Sequence, residues 1–122
     1  MIVYMGYEGK LWVYSDTRVS AKGKDGLDYY IHDNYEKAKI INNMIVVGMG
    51  HLPAVKYVFE QFERSDKQIG DLEQITKDAY DIYGNEIGMY IFNCDTNGVF
   101  WVYTISNLLG FKTRKKKLEI MI

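Results

Sequence analysis

Residues 1–20, MIVYMGYEGKLWVYSDTRVS, contain the pattern that decides the fold. The runs Ile2–Met5 and Leu11–Tyr14 are rich in β-branched and aromatic residues, and the segment between them holds a glycine that can take positive φ. This pattern predicts a hairpin of two strands. Because nearly every position in both runs is apolar, we expect both faces of the hairpin to be covered. The charged pair Asp16 and Arg18, which follows the second strand, is then expected at a sheet edge or in a cleft.

Composition limits the class of protein. A chain of 122 residues with a formal net charge of −1 is expected to form one domain, residues 1–122. No apolar run has the length of a membrane span and the first residues do not resemble a signal peptide, so we expect a cytoplasmic protein without membrane contact. The single cysteine, Cys94, excludes an internal disulfide, and we expect it to pack as a small apolar residue. With only His32 and His51 besides, we expect no metal site and no cofactor.

The middle of the chain predicts strands and then helices. Tyr29–His32 is a short strand candidate after a Gly-rich loop over residues 21–28, and a second hairpin is predicted over residues 37–50 around Asn42 and Asn43. A helix is predicted over residues 51–65, since Val55, Val58, Phe59 and Phe62 fall on one helical face. A second helix is predicted from a capping box at Asp71 and Gln74, with an apolar stripe of Leu72, Ile75, Ala79 and Ile82, to a stop at Gly84.

The end of the chain returns to strands. Met89–Cys94 and Val99–Ile105 flank a turn that ends in Asn-Gly, which is typical of a hairpin. The basic run Lys112–Lys117 predicts a solvated loop, with a final edge strand over residues 118–122. The order of four strands, two helices and two or three strands predicts an α+β fold: an antiparallel sheet or pair of sheets with both helices packed on one face.

The segment Leu11–Ser20 resembles the proteasome β-subunit and HslV-like group of N-terminal nucleophile (Ntn) hydrolases, in which a strand ends in Asp-Ser-Arg-Ala-Thr or a close variant. The segment from Lys37 to Asn42 is similar to the family's lysine-bearing segment, and Met44–Gly50 to the strand after it. The resemblance covers roughly residues 1–105 and implies a shortened αββα fold, because the family's C-terminal strands and second helix pair have no counterpart.

The resemblance also implies a site. The family uses an N-terminal Thr, Ser or Cys as nucleophile, its α-amine as base, a lysine, and an aspartate that orients the lysine. Asp16 matches the aspartate, Arg18 its neighbouring arginine, and Lys37, or Lys39 in a shifted register, the lysine. The nucleophile would fall just before Met1, so the resemblance implies a catalytic set that lacks its nucleophile, and it assigns no catalytic residue. His51 stands where the family has small residues near the oxyanion region, and a side chain there would crowd a substrate.

Three classes of function follow. The first is a non-catalytic proteasome-like domain, of phage or mobile-element origin, that binds a protein partner or a small molecule or assembles as a homo-oligomer. The second is a peptidase or amidohydrolase activated by processing. The third binds an anionic molecule or nucleic acid through Arg18, Lys37 and the basic run. A simple salt-bridged cluster of Asp16, Arg18 and Lys37 is an alternative to any ligand site. The basic run lacks interleaved aromatic residues in the sequence, which disfavours a nucleic-acid partner.

Overall fold

The computed structural model describes the backbone of residues 2–7, 10–15, 19–22 and 28–32, and residues 37–118. Its first four strands form two antiparallel pairs, β1 with β2 and β3 with β4. Their bounds are Ile2–Tyr7 (β1), Lys10–Ser15 (β2), Val19–Lys22 (β3) and Asp28–His32 (β4). The predicted first hairpin is therefore confirmed. The loop predicted from residue 21 begins later, because residues 21 and 22 pair with β4.

A five-stranded antiparallel sheet follows, in the order β5-β6-β7-β8-β9. Its strands are Ala38–Ile41 (β5), Met44–Gly50 (β6), Ile87–Cys94 (β7), Phe100–Ser106 (β8) and Arg114–Lys117 (β9). Asn42 and Asn43 both have positive φ, 51° and 61°, as the tight hairpin turn between β5 and β6 requires. Both predicted hairpins of this sheet are confirmed.

Two helices connect β6 to β7. Helix α1 spans Leu52–Arg64, and its predicted apolar face is buried. Helix α2 spans Ile69–Tyr83 and ends at Gly84, whose φ of 66° allows the left-handed cap. The predicted start of α2 was wrong: the cap residue is Gln68, and Asp71 lies inside the first turn, where its carboxylate accepts a hydrogen bond from the Gln68 backbone N–H (3.1 Å).

The apolar stripe of α2 also differs from the prediction. Leu72 and Ala79 are fully buried, but Ile82 is 58 % exposed near the end of the helix. Thr76 is buried in the stripe instead, and its hydroxyl has no hydrogen-bond partner within residues 37–118. Because threonine is polar, the apolar pattern of the sequence did not identify this position as part of the core.

Buried apolar residues lie on both faces of the five-stranded sheet. The face under the helices packs Val46, Met89, Ile91 and Ile105 against α1 and α2. On the opposite face, Val47, Phe92, Val102 and Leu118 form a second buried cluster. Both faces are therefore covered, and the α+β prediction with two helices on one face of an antiparallel sheet is confirmed.

The C-terminal segment differs from the prediction. The basic run forms strand β9, paired with β8, rather than a solvated loop, and Leu118 lies just after that strand. Residues 119–122 lie outside the described part. The predicted Cys94 environment was also wrong, because this cysteine is exposed.

Candidate functional site

The two candidate lysines lie at the start of β5, the first strand of the sheet: Lys37 immediately precedes it and Lys39 is within it. The carbonyl of Lys37 accepts a hydrogen bond from the Gly48 backbone N–H (2.8 Å), which places Lys37 in register with Gly48 on β6. Lys39 pairs with Val46 two positions further along the strand. Asp16 and Arg18 lie outside the described residues, so the predicted contact of Asp16 with a lysine remains a prediction.

Lys39 is engaged with helix α1. Its Nζ lies 3.5 Å from the Glu63 carboxylate and 5.4 Å from the centre of the Phe59 ring. About half of each charged side chain remains exposed, so this ion pair contributes little stability, on the order of 0.5 kcal/mol. The pair nevertheless gives Lys39 a structural role against α1. The match of Lys37 to the family's lysine remains a prediction.

The junction between β6 and α1 is closely packed around two glycines. A Cβ at Gly48 would overlap the Val55 side chain, and one at Gly50 would overlap the Glu86 carbonyl oxygen. Gly50 also has a φ of 105°, which side-chain-bearing residues rarely adopt. The predicted small residues at the end of β6 are therefore explained by packing and backbone conformation, without any ligand.

His51 follows this junction and precedes the first residue of α1. Its backbone N–H donates to the Glu86 carbonyl (3.0 Å), and its half-buried ring lies 5.7 Å from the Tyr83 ring at the end of α2. Tyr57 of α1 contacts the same tyrosine edge-on at 6.2 Å. The histidine thus forms part of an aromatic contact between the two helices.

Within residues 37–118, the cross-strand partners in register with Lys37 carry no hydroxyl or thiol. The row of paired residues that starts at Lys37 continues through Gly48, Met89 and Ile105, which are buried and lack a nucleophilic atom. Cys94 lies five residues beyond Met89 along β7, about 17 Å away at the rise of a strand. The described cysteine and Lys37 are therefore too far apart to act together.

A cavity of about 510 Å³ opens next to the same junction. Met49, Ile87, Tyr90 and Leu109 supply apolar surface, and the hydroxyls of Thr104 and Ser106 supply polar groups. Leu108 at its rim is 77 % exposed. The volume falls within the range of small-molecule sites. The sequence did not reveal the cavity because its residues come from three separate segments.

A second group of polar contacts lies at the turn between β7 and β8. The Asp95 carboxylate accepts hydrogen bonds from the Trp101 indole N–H (3.0 Å) and from the backbone N–H groups of Val99 (3.0 Å) and Asn97 (2.9 Å). These bonds, led by the one from Trp101, hold the pKa of Asp95 below its ordinary value. The aspartate therefore fixes both the turn and the orientation of the indole ring.

Glu73 of α2 makes the corresponding contact with the segment before β9. Its Oε1 accepts hydrogen bonds from the hydroxyl (2.6 Å) and the backbone N–H (2.8 Å) of Thr113. The hydroxyl contact is the main reason that the pKa of Glu73 lies below its ordinary value. Through this contact α2 anchors the chain that leads into the basic strand.

Between them, the described segments bring no three His, Cys, Asp or Glu side chains together in a way that could hold a metal ion. In the same segments, neither helix combines the length and apolar character needed to cross a bilayer.

Comparison with known proteins shows the fold. No protein-family model matches this chain, and no curated protein matches its sequence. Its structure is similar to that of Anbu (ancestral beta-subunit) from Yersinia bercovieri, with a TM-score of 0.70 and 12 % sequence identity. The match covers 94 % of this chain but only 56 % of that one, so the chain spans little more than half the length of its structural neighbour. The chain therefore shares the α+β fold of this ancestral beta-subunit.

Proposed function

We propose that this chain is a non-catalytic domain of the proteasome-like Ntn fold that works by binding and assembly. The observation that carries the proposal is the set of cross-strand partners in register with Lys37: Gly48, Met89 and Ile105 are buried and carry no hydroxyl or thiol. Lys39 is paired with Glu63, and His51 packs against Tyr83. Structural contacts thus account for Lys39 and His51, two of the residues that the resemblance assigns to a site.

Strand β5 supports assembly between copies of this chain. It is an end strand of the five-stranded sheet, and Ile40 on it is 79 % exposed. An end strand with an exposed large apolar side chain is a template for pairing with another chain. Burial of Ile40 against a second copy would remove this exposed apolar surface from water.

A hydrolase is the alternative that the fold likeness and the register of Lys37 with Gly48 favour. The two functions separate by mass spectrometry of the natural N-terminus combined with a covalent probe for N-terminal Thr, Ser or Cys. We expect no labelling of the purified natural protein. A processed N-terminus that carries the probe would overturn the non-catalytic proposal.

Assembly is tested by sedimentation analysis of the Ile40→Lys variant. We expect the wild-type chain to form an oligomer and the variant to shift toward monomer by at least tenfold in dissociation constant, because a charge would have to be buried in the interface. Ile82→Lys is the matched control: it places the same charge at an exposed apolar position on α2 and should leave the oligomer unchanged. A monomeric wild-type protein, or equal effects of both variants, would contradict assembly through β5.

A further inference from the structure

Pairing of β8 with β9 places aromatic and basic side chains together at the last edge of the sheet. Tyr103 is the partner of Lys115, and Trp101 is the partner of Lys117. Since paired residues point to the same face of a sheet, these four side chains share one face, and we call them the β8–β9 surface. The sequence separates the aromatic pair from the lysines by more than ten residues, so only the register brings them together.

Trp101 is held in a defined position within this surface. Its indole N–H donates to Asp95 at 3.0 Å, and the Nζ of Lys115 lies 4.1 Å from its ring centre. The same ammonium lies 5.7 Å from the Tyr103 ring. An ammonium over two aromatic rings is a favourable arrangement at a surface, and it also places a positive charge where a flat ligand could stack.

The charge of this edge is positive on both sides. All four residues of β9 are exposed cations, and neither β8 nor β9 contains an acidic residue. Arg114 and Lys116 pair with Thr104 and Val102, so they point to the face opposite the β8–β9 surface. The nearby carboxylates of Asp95 and Glu73 already accept hydrogen bonds from neighbouring protein groups.

Lysines on an end strand also have a protective use, since they discourage pairing with other strands. That use explains the cations of β9, which has no further strand beside it within the described residues. It does not explain why a partly buried hydrogen bond to Asp95 holds Trp101 in place beside these cations. Trp101 and Tyr103 are both partly exposed, and Tyr103 also packs against the core under the helices. Positive side chains next to accessible aromatic rings are the combination with which proteins bind single-stranded nucleic acids.

We propose that the β8–β9 surface binds a single-stranded nucleic acid. Bases stack on Trp101 and Tyr103, the long side chain of Lys115 turns from the indole to a phosphate, and Lys117 and the two cations on the other face contact neighbouring phosphates. This surface lies at the opposite end of the sheet from β5. If the protein does not bind nucleic acid, the proposed assembly through Ile40 is therefore unaffected.

The salt dependence of binding gives a quantitative expectation. Neutralisation of about four phosphates on a single strand gives a slope of roughly −2.8 in log affinity against log salt, since each contact contributes about −0.7. An increase from 50 to 200 mM salt should then weaken binding about 50-fold. With two lysines removed, the same increase should weaken binding only about sevenfold.

The test measures fluorescence anisotropy of labelled 12-nucleotide DNA and RNA strands with the intact chain. We expect Lys115→Gln combined with Lys117→Gln to weaken binding at least tenfold at low salt. Lys56→Gln combined with Arg64→Gln removes the same charge from exposed positions on α1 and should change affinity less than twofold. Trp101→Ala, checked for folding by circular dichroism, should cost roughly 5- to 150-fold, the range for loss of one stacked base.

Three results would overturn the proposal. The first is absence of binding at 50 mM salt with protein in the micromolar range. The second is polyglutamate of the same charge competing as well as the oligonucleotide, which would make the site one for acidic polypeptides. The third is equal loss of affinity in the β9 and α1 double variants, which would show that binding depends on net charge and not on the position of the cations.

Discussion

At the scale of single residues, Gly50 is the position on which the start of α1 depends. Its φ of 105° and the Glu86 carbonyl beside it leave no room for a side chain. We expect Gly50→Ala to lower the free energy of unfolding by about 2 to 4 kcal/mol, from backbone strain and steric overlap together. Urea unfolding measures the change.

Gly70 provides the matched control for this substitution. It lies in the first turn of α2, its φ is not positive, and a Cβ there would contact nothing within 4 Å. Gly70→Ala should raise the free energy of unfolding by roughly 0.5 to 1 kcal/mol, because alanine loses less backbone entropy in a helix. Similar losses for both variants would show that the packing around Gly50 is not what constrains it.

At the scale of elements, the hairpin of β7 and β8 depends on ionised Asp95. Hydrogen bonds hold the folded-state pKa of this carboxylate below its ordinary value of 3.8. A lowered folded-state pKa means that the carboxylate stabilises the fold above about pH 4, and that this contribution disappears as the pH falls through the lowered value. We therefore expect Asp95→Asn to reduce the difference in unfolding free energy between pH 7 and pH 2.5.

Denaturant unfolding at a series of pH values checks this expectation. Trp101→Phe removes the leading hydrogen-bond donor and keeps the carboxylate and its two backbone partners. Its acid sensitivity should fall between those of the wild type and Asp95→Asn. An unchanged pH dependence in both variants would argue that the turn does not discriminate between the two forms of the carboxyl group.

At the scale of the whole molecule, the order of the sheet predicts where the fold opens first. Strand β7 pairs with β6 over residues 87–92 and with β8 over residues 88–94, and Ile91 and Phe92 on it are buried on opposite faces. Strand β9 has exposed side chains and one described neighbour. In hydrogen exchange, β7 amides should exchange only by global unfolding, and β9 amides at least about 100-fold faster. Equal protection of the two strands would contradict this prediction. The exchange is measured at a protein concentration below the dissociation constant of any oligomer, so that a second copy cannot protect β9.

The sequence by itself determined those elements whose signals are local. The turn between β5 and β6 follows from Asn42 and Asn43, which both adopt positive φ. Helix α1 follows from the helical spacing of Val55, Val58 and Phe59. The end of α2 follows from Gly84, which adopts the left-handed conformation. Each of these signals involves residues within a few positions of one another. The α+β class followed from their order, and the Lys37 segment was placed correctly on the first strand of the sheet.

Only the tertiary structure decided the features that depend on distant partners. The basic run became a strand because β8 supplies its hydrogen bonds, and that pairing set Lys115 against Trp101. Thr76 is buried and Ile82 is exposed on the same helix, and Lys39 forms an ion pair with Glu63, twenty-four residues away. Periodicity reports which side of an element is apolar; it carries no information about which other element lies opposite, because that is settled by long-range packing.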